Sequence, residues 1–289
     1  MRGSLARRLE HVALDVLLYL VLLVFFVPVL WIVLTSVRPN VEINARPPVW
    51  IPRSLDVGSF LALLGLGEGG SFGFGANVPF GDYARNSIVA AVASTAISLT
   101  LGTLAGFGFS RFRFRGKNTI FLGLMLSRAV PGIALGLPLF VLFSQIGLAD
   151  KVGGLVIAYS ALNIPFTAWL MDGFFREVPE ELDEAAMIDG CSRWQAFLRI
   201  GLPLAFPGMA ASGIFAFLTA WNEFAVASVV ARTTASKTFP VGLFDFTGQF
   251  VSDWRGMCAM SVIMLVPAVV FVAFVQRHLI RGLTFGALK

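Results

Sequence analysis

The run from Val16 to Leu34 is 19 residues long and contains no charged side chain. A helix rises 1.5 Å per residue, so about 20 mostly apolar residues cross the hydrocarbon core of a bilayer. Comparable runs recur along the chain. Six spans are predicted, at about 16–37, 87–109, 118–144, 153–175, 205–231 and 257–279. The fold class expected is therefore all-α, a polytopic membrane protein with six transmembrane helices. Composition agrees. The chain is 57% hydrophobic and 13% charged, with a mean hydropathy of +0.80, whereas a soluble domain carries roughly 25% charged residues. For most of this chain the solvent is lipid.

That reading removes several function classes. The net charge of +5 needs no nucleic acid to explain it, because basic residues flanking membrane segments set orientation. The two cysteines, Cys191 and Cys258, have no metal or redox spacing, and the expected topology separates them across the membrane. With only His11 and His278, a histidine metal centre is not expected. Arg2, Arg7 and Arg8 precede the first apolar run as they would in a signal peptide. That run is longer than a signal core, however, and no small-x-small cleavage site follows, so it is read as an uncleaved first span.

Six spans put both termini on one side. With that side cytoplasmic, the inner segments hold 13 basic residues and the outer ones 8. The densest cluster, Arg111, Arg113, Arg115 and Lys117, lies in a very short loop, where the positive-inside rule is strongest. Both termini are expected inside. The long outer segment from Arg38 to Arg85 is glycine-rich between Gly65 and Gly81 and is expected to be irregular. Its plain reading is a surface loop, its sharper one a contact for an external partner. Pro28, Pro131, Pro138, Pro165 and Pro267 fall within spans and predict kinks. No internal repeat is visible, so a transport path needs a second subunit.

The inner loop between spans four and five is built rather than merely connecting. Pro179 stands at a helix start, Glu180 and Glu181 fall in the first turn where the helix dipole favours acids, and Gly190 marks a stop. Ser192-x-x-Gln195 is a capping-box pattern opening a second short helix, expected to run to about Ile200, with Pro203 blocking its continuation. Leu182, Ala185, Ala186 and Met187 sit amid acids on the first helix. Such a helix suits a partner's groove. The competing reading is an amphipathic helix lying on the bilayer, but interfacial helices favour lysine and arginine, not acids.

Glu184-Ala185-Ala186-x-x-Asp189-Gly190, followed by Ile200 and Pro203, resembles the EAA motif of ABC-importer permeases. Cys191 stands where that family usually has alanine. Trp221-Asn222-Glu223-Phe224, Phe239-Pro-Val-Gly-Leu243, Gln276-Arg277, Arg281–Lys289 and Asn86-Ser87 are similar to carbohydrate permeases of the maltose G-subunit type. The likeness runs from about residue 80 to the end, and the stretch 65–81 looks like an insertion. The resemblance implies the type I ABC-importer permease fold in the inner membrane. It implies an N-terminal helix and outer loop over 1–85, a permease core over 86–281 containing the coupling loop 176–208, and a tail over 282–289 that reaches between the ATPases. It also implies the partners: a second permease subunit, an ABC ATPase dimer that binds ATP and Mg, and an extracytoplasmic solute-binding protein. This chain itself would hold no cofactor. Glu184, Ala185, Ala186, Asp189 and Gly190 would dock the ATPase, and the cargo would be a sugar or oligosaccharide. A polyol, glycerol phosphate or non-sugar cargo is the alternative, and a self-sufficient channel or secondary transporter is the third reading.

Arg115-Gly116-Lys117-Asn118 is not a phosphate loop. The motif needs glycine where Arg111 stands and Ser or Thr where Asn118 stands. Arg128, Asp172 and Glu223 lie in or near spans, where charges face a cavity or pair with one another. Arg128, Asn222 and Glu223 are the candidates for a pathway or gate. The 28 phenylalanines read first as lipid-facing or packing residues; sugar sites also stack aromatics on pyranose faces, and the sequence does not pick any that would.

Overall fold

The computed structural model describes residues 2–66, 78–248 and 252–286, with side chains from residue 11 to 274. In chain order the helices are α1 (Arg2–Ser36), α2 (Asn40–Ile43), α3 (Gly58–Leu63), α4 (Phe80–Arg111), α5 (Lys117–Ser127), α6 (Gly132–Gln145) and α7 (Val152–Glu177). There follow α8 (Glu180–Ile188), α9 (Arg193–Ala196), a π-helical turn (Phe197–Gly201), α10 (Leu202–Leu204), α11 (Phe206–Trp221), α12 (Ala227–Val230), α13 (Phe239–Gly242) and α14 (Trp254–Gly286). Most of the glycine-rich stretch, at 67–77, lies outside the described residues. So do 287–289 of the tail and the side chains of Gln276, Arg277 and Arg281. Both cysteines are free.

Four helices are each long and apolar enough to cross a membrane, in α1, α4, α7 and α14, and six crossings result if two bent pairs count as one span each. The first pair shows the kink predicted at Pro131, within the expected span 118–144, as a full break between two helices. α5 and α6 meet at 98°, because Pro131 has no N–H to give and forces the residue before it out of the helical region. The second corrects 205–231. α9–α10 and α11 meet at 72°, and the helix stops at Trp221, ten residues before the expected end. There Asn222 Nδ2 donates back to the Leu218 carbonyl at 2.9 Å. Both Glu223 oxygens then accept the next free amides, Val226 N at 2.8 Å and Ala227 N at 3.0 Å. A carboxylate capping a new turn competes successfully with helix continuation.

The chain divides into two compact units, 1–78 with 245–265 and 79–244 with 266–289. In the first, the side chains of α1 from Val12 to Val33 are almost all exposed within the chain, the surface an apolar helix offers to lipid or to another membrane helix. Its loop is tied by the buried Arg255, which pairs with Asp56. Arg38 donates to the Trp50 carbonyl at 2.9 Å and lies 4.8 Å from the Trp31 ring centre.

In the second unit, α4 and α7 form the central contact. Ala90, Ser94, Ser98, Gly102 and Gly106 recur every fourth residue on α4 and are buried. Leu155, Tyr159, Asn163, Thr167, Met171 and Phe175 do the same on α7, with only the odd gap in size. A row of small residues thus faces a row of large ones, the arrangement that lets two helix backbones approach closely. Ser98 Oγ donates to the Ser160 carbonyl at 3.5 Å. A Cβ on Gly102 would lie 2.5 Å from Thr167, and one on Gly106 would lie 2.6 Å from Met171 Cβ and 2.8 Å from the Asp172 amide. These pairs climb both helices together, so α4 and α7 run parallel. The bent α5–α6 pair between them must return the chain to the starting side, and so it serves as a crossing.

Gly106→Ala is expected to lower stability by about 1–3 kcal/mol, the usual cost of forcing atoms into a filled contact. Gly108→Ala, where nothing lies within 4 Å, is expected to cost nothing. Thermal unfolding of the two variants in detergent compares them directly.

Candidate functional site

Between α7 and α11 the chain folds into a compact double-helix element. α8 starts after Pro179, with Glu180, Glu181 and Asp183 in its first turn. It ends in a Schellman motif. Cys191 N donates to the Ala186 carbonyl at 2.9 Å and Gly190 N to Met187 at 3.1 Å, while Gly190 takes φ +90°, a conformation costly for any residue with a Cβ. Ser192 then caps α9 with both halves of the capping box formed, as its spacing predicts.

Pro203 does not block the second helix as expected. The backbone widens into the π-helical turn, in which Leu202 N bonds the Phe197 carbonyl. Pro203 thereby falls in the first turn of α10, where its missing N–H is not needed.

Two contacts brace this element against the spans. Met171, Phe175, Phe197 and Ala205 form a buried cluster with Phe107, Leu202 and Met209 packed on it. Arg111, at the end of α4, reaches across. Its Nε donates to Asp183 Oδ2 at 2.7 Å and its guanidinium to the Val178 carbonyl at 2.8 Å. Glu180 lies 4.0 Å away, and only 9% of the Arg111 side chain is exposed. In sequence Arg111 reads only as one of the four orientation charges of its loop. The signal for this second role is that it ends one span while an acid-rich first turn begins the loop that follows another.

The bracing decides which residues of α8 are presented. Asp183 and Ala186 face inward. Ala186, grouped with Ala185 by sequence, is buried and serves packing. The face turned away from the bracing carries Glu181, Glu184, Ala185 and Ile188, at i, i+3, i+4 and i+7, with the exposed Leu182 and Met187 at its flanks. Ile188 is 85% exposed, an apolar anchor with a small neighbour and an acidic rim. Asp189 and Gly190 sit exposed at the stop. The remaining candidates lie elsewhere. Arg128 occupies the α5–α6 break, beside Phe166 and Phe215. Asn222 and Glu223 form the end of α11 and make no ion pair with Arg128. Asp172 pairs with Arg176, at 2.9 Å.

At the other end of α7, Asp150 holds the 231–238 segment. Its carboxylate accepts from Arg232 N at 2.8 Å, Thr233 N at 2.9 Å, Thr233 Oγ1 at 2.6 Å and Ser236 Oγ at 2.5 Å. Burial would raise its pKa, but these donors outweigh burial and hold it near 2. Asn86 Nδ2 donates to the Thr234 and Lys237 carbonyls at 3.0 and 3.1 Å, and Phe239 N donates to Ser87 Oγ at 2.8 Å. Asn86-Ser87 and Phe239–Leu243, two distant matches in sequence, are thus one contact.

Residues 98–285 match the family described as binding-protein-dependent transport system inner membrane component. The chain is 31% identical over 262 residues to the diacetylchitobiose uptake system permease protein DasC of Streptomyces coelicolor, covering 91% of each. It is 33% identical over 264 residues to the trehalose transport system permease protein SugB of Mycobacterium tuberculosis, covering 91% of this chain and 92% of SugB. A chain from the crystal structure of a bacterial ABC transporter that imports the acidic polysaccharide alginate superposes with a TM-score of 0.74. Its identity is 21%, and the match covers 93% of this chain and 96% of that one. At that identity the likeness shows a shared fold.

Two predictions follow the bracing. Arg111→Met leaves Asp183 without its partner. Breaking a buried pair this way costs about 3–5 kcal/mol, so amide exchange across Glu180–Ile188 is expected to quicken while α7 stays protected. Asp150→Asn imitates protonation at neutral pH. A carboxylate with a depressed pKa stabilises the fold above about pH 4 and loses that contribution as pH falls toward 2. Exchange at Arg232 and Thr233 is therefore expected to rise about tenfold or more in the variant at pH 7, and in the unaltered protein only in strong acid.

Proposed function

The chain belongs to the family of binding-protein-dependent transport system inner membrane components, and from that membership we propose that it is one of two permease subunits of a sugar-importing ABC transporter. A transport permease is not an enzyme. In this reading a separate ATPase dimer binds ATP and Mg and hydrolyses the nucleotide. A second, homologous permease completes the path, and an extracytoplasmic solute-binding protein delivers the cargo. DasC and SugB, permeases for diacetylchitobiose and trehalose by name, support a sugar or oligosaccharide over a polyol or glycerol phosphate.

The observation that carries the proposal is the outward face of α8. Ile188 offers an anchor for a groove, Ala185 lets the groove wall come close to the backbone, and Glu181 and Glu184 supply a charged rim. Behind that face, Arg111 and the Phe107–Phe175–Phe197 cluster join α8 to α4 and α7. A push on α8 therefore moves the spans rather than bending a loop. Coupling between ATP state and cavity orientation is a free energy between two sites, and it requires a connection of this kind. The element lies on the side that holds the Arg111–Lys117 cluster. By the positive-inside rule, that cluster supports a cytoplasmic location for the element and for both termini of this multi-pass membrane protein.

Glu184→Lys and Ile188→Asp are expected to lower ATP-driven uptake by about tenfold or more, since a like-charge or desolvated contact costs several kcal/mol at an interface. The variants should still insert into the membrane and retain the second permease. Uptake in proteoliposomes of the complete transporter measures this, and undiminished uptake in both variants would refute the assignment.

A further inference from the structure

Among the described residues, Arg128 is a charged side chain that the fold sets at the break in a spanning pair without giving it an acid. Its guanidinium has five N–H donors, and none finds a carboxylate or a carbonyl among the described residues. Its carbon lies 5.1 Å from the Phe166 ring centre and 5.4 Å from that of Phe215. Those two rings stack on each other at 3.9 Å. The guanidinium thus makes a cation–π contact with each ring, an attraction that leaves its N–H donors unused.

The surroundings fit a ligand. Trp169 lies 5.7 Å from Phe166, and 48% of Trp169 is exposed. Phe215 is partly exposed too, and a shallow groove continues from it along α11, lined by Ala211, Ile214, Leu218 and Thr219. Non-helical backbone at membrane depth, such as Arg128–Pro131, is tolerated where it lines a cavity or is covered by protein. Lipid is a poor occupant, since an arginine with open donors is costly against hydrocarbon.

We propose that Arg128, Phe166, Trp169 and Phe215 form a sugar-ring subsite in the transport path. The apolar face of a pyranose lies on the Trp169 and Phe215 rings, and Arg128 donates to two neighbouring oxygens at the ring's edge, vicinal hydroxyls or a carboxylate. Few convergent polar groups on an aromatic wall is the usual construction of a small-molecule site, and a planar fork of donors suits a pair of oxygens. The inference rests on the carbohydrate reading above and gives this chain its own share of cargo recognition.

The test uses the complete transporter in proteoliposomes, offered trehalose, maltose, cellobiose, diacetylchitobiose and digalacturonate. For whichever of these the unaltered assembly imports, Trp169→Leu and Arg128→Lys are expected to slow import by about tenfold, as loss of an aromatic or bidentate contact implies. Trp169→Phe, which keeps a stacking face, is expected to import near the original rate. All three should keep the second permease and binding-protein-stimulated ATPase activity. Import at the original rate by Trp169→Leu would overturn the subsite and leave the carbohydrate reading intact. Loss of the second permease from the Arg128→Lys assembly would also overturn it, by showing that a protein partner covers these residues. Import of none of the five sugars by the unaltered assembly would remove the carbohydrate reading, and the subsite with it.

Discussion

The close contact of α4 with α7 is the constraint on which the second unit depends. In lipid, one apolar side chain gains little by meeting another, so helices associate where their shapes let backbones approach. Here that shape is a five-residue row of alanine, serine and glycine at every fourth position of α4, set against a row of larger residues on α7. The contact makes the two helices parallel, and the parallel arrangement dictates that α5 and α6 carry the chain back between them. It also fixes the ends. Arg111 finishes α4 within reach of Asp183 and Val178 only because α7 brings Val178 there.

The loop after α7 inherits its rigidity from that contact. A helix of nine residues has little stability alone. α8 is held by a capped start, a Schellman stop, a buried arginine pair and an aromatic cluster shared with three spans. What it shows to the outside is a strongly exposed isoleucine beside an alanine and glutamates, with Leu182 and Met187 less exposed at the flanks. An element braced this firmly, with an acidic rim, suits transmission of force to another protein better than it suits lying in a bilayer surface.

The sequence made some of this legible and concealed the rest for physical reasons. Local signals were reliable. Pro179, Gly190 and the Ser192–Gln195 pair act through neighbouring backbone groups, so they can be read in one dimension. Long apolar runs likewise located every span. Where competition among several groups decides the backbone, the reading erred. Pro131 signals a kink in span three but not that the helix breaks by 98° there. Hydropathy alone carries span five through Asn222 and Glu223, where a capping carboxylate ends the helix without lowering local hydropathy much. Pro203 reads as a stop in sequence, and the π turn that accommodates it has no local signature. Contacts between distant residues, such as Arg111 with Asp183, Asn86 with Lys237, or Arg128 beside Phe166 and Phe215, have no local signature. They became visible only when the packing of α4 and α7 was known.

The central claim is that the outward face of α8, and not its inward face, meets the ATPase. A photo-crosslinking residue, p-benzoylphenylalanine, placed at Ile188 or at Ala186 in the complete transporter tests it most directly. The account predicts a strong crosslink from position 188 to the ATPase subunit and, from position 186, crosslinks only within this chain. A crosslink to the ATPase from 186 as strong as that from 188, or none from 188, would contradict it.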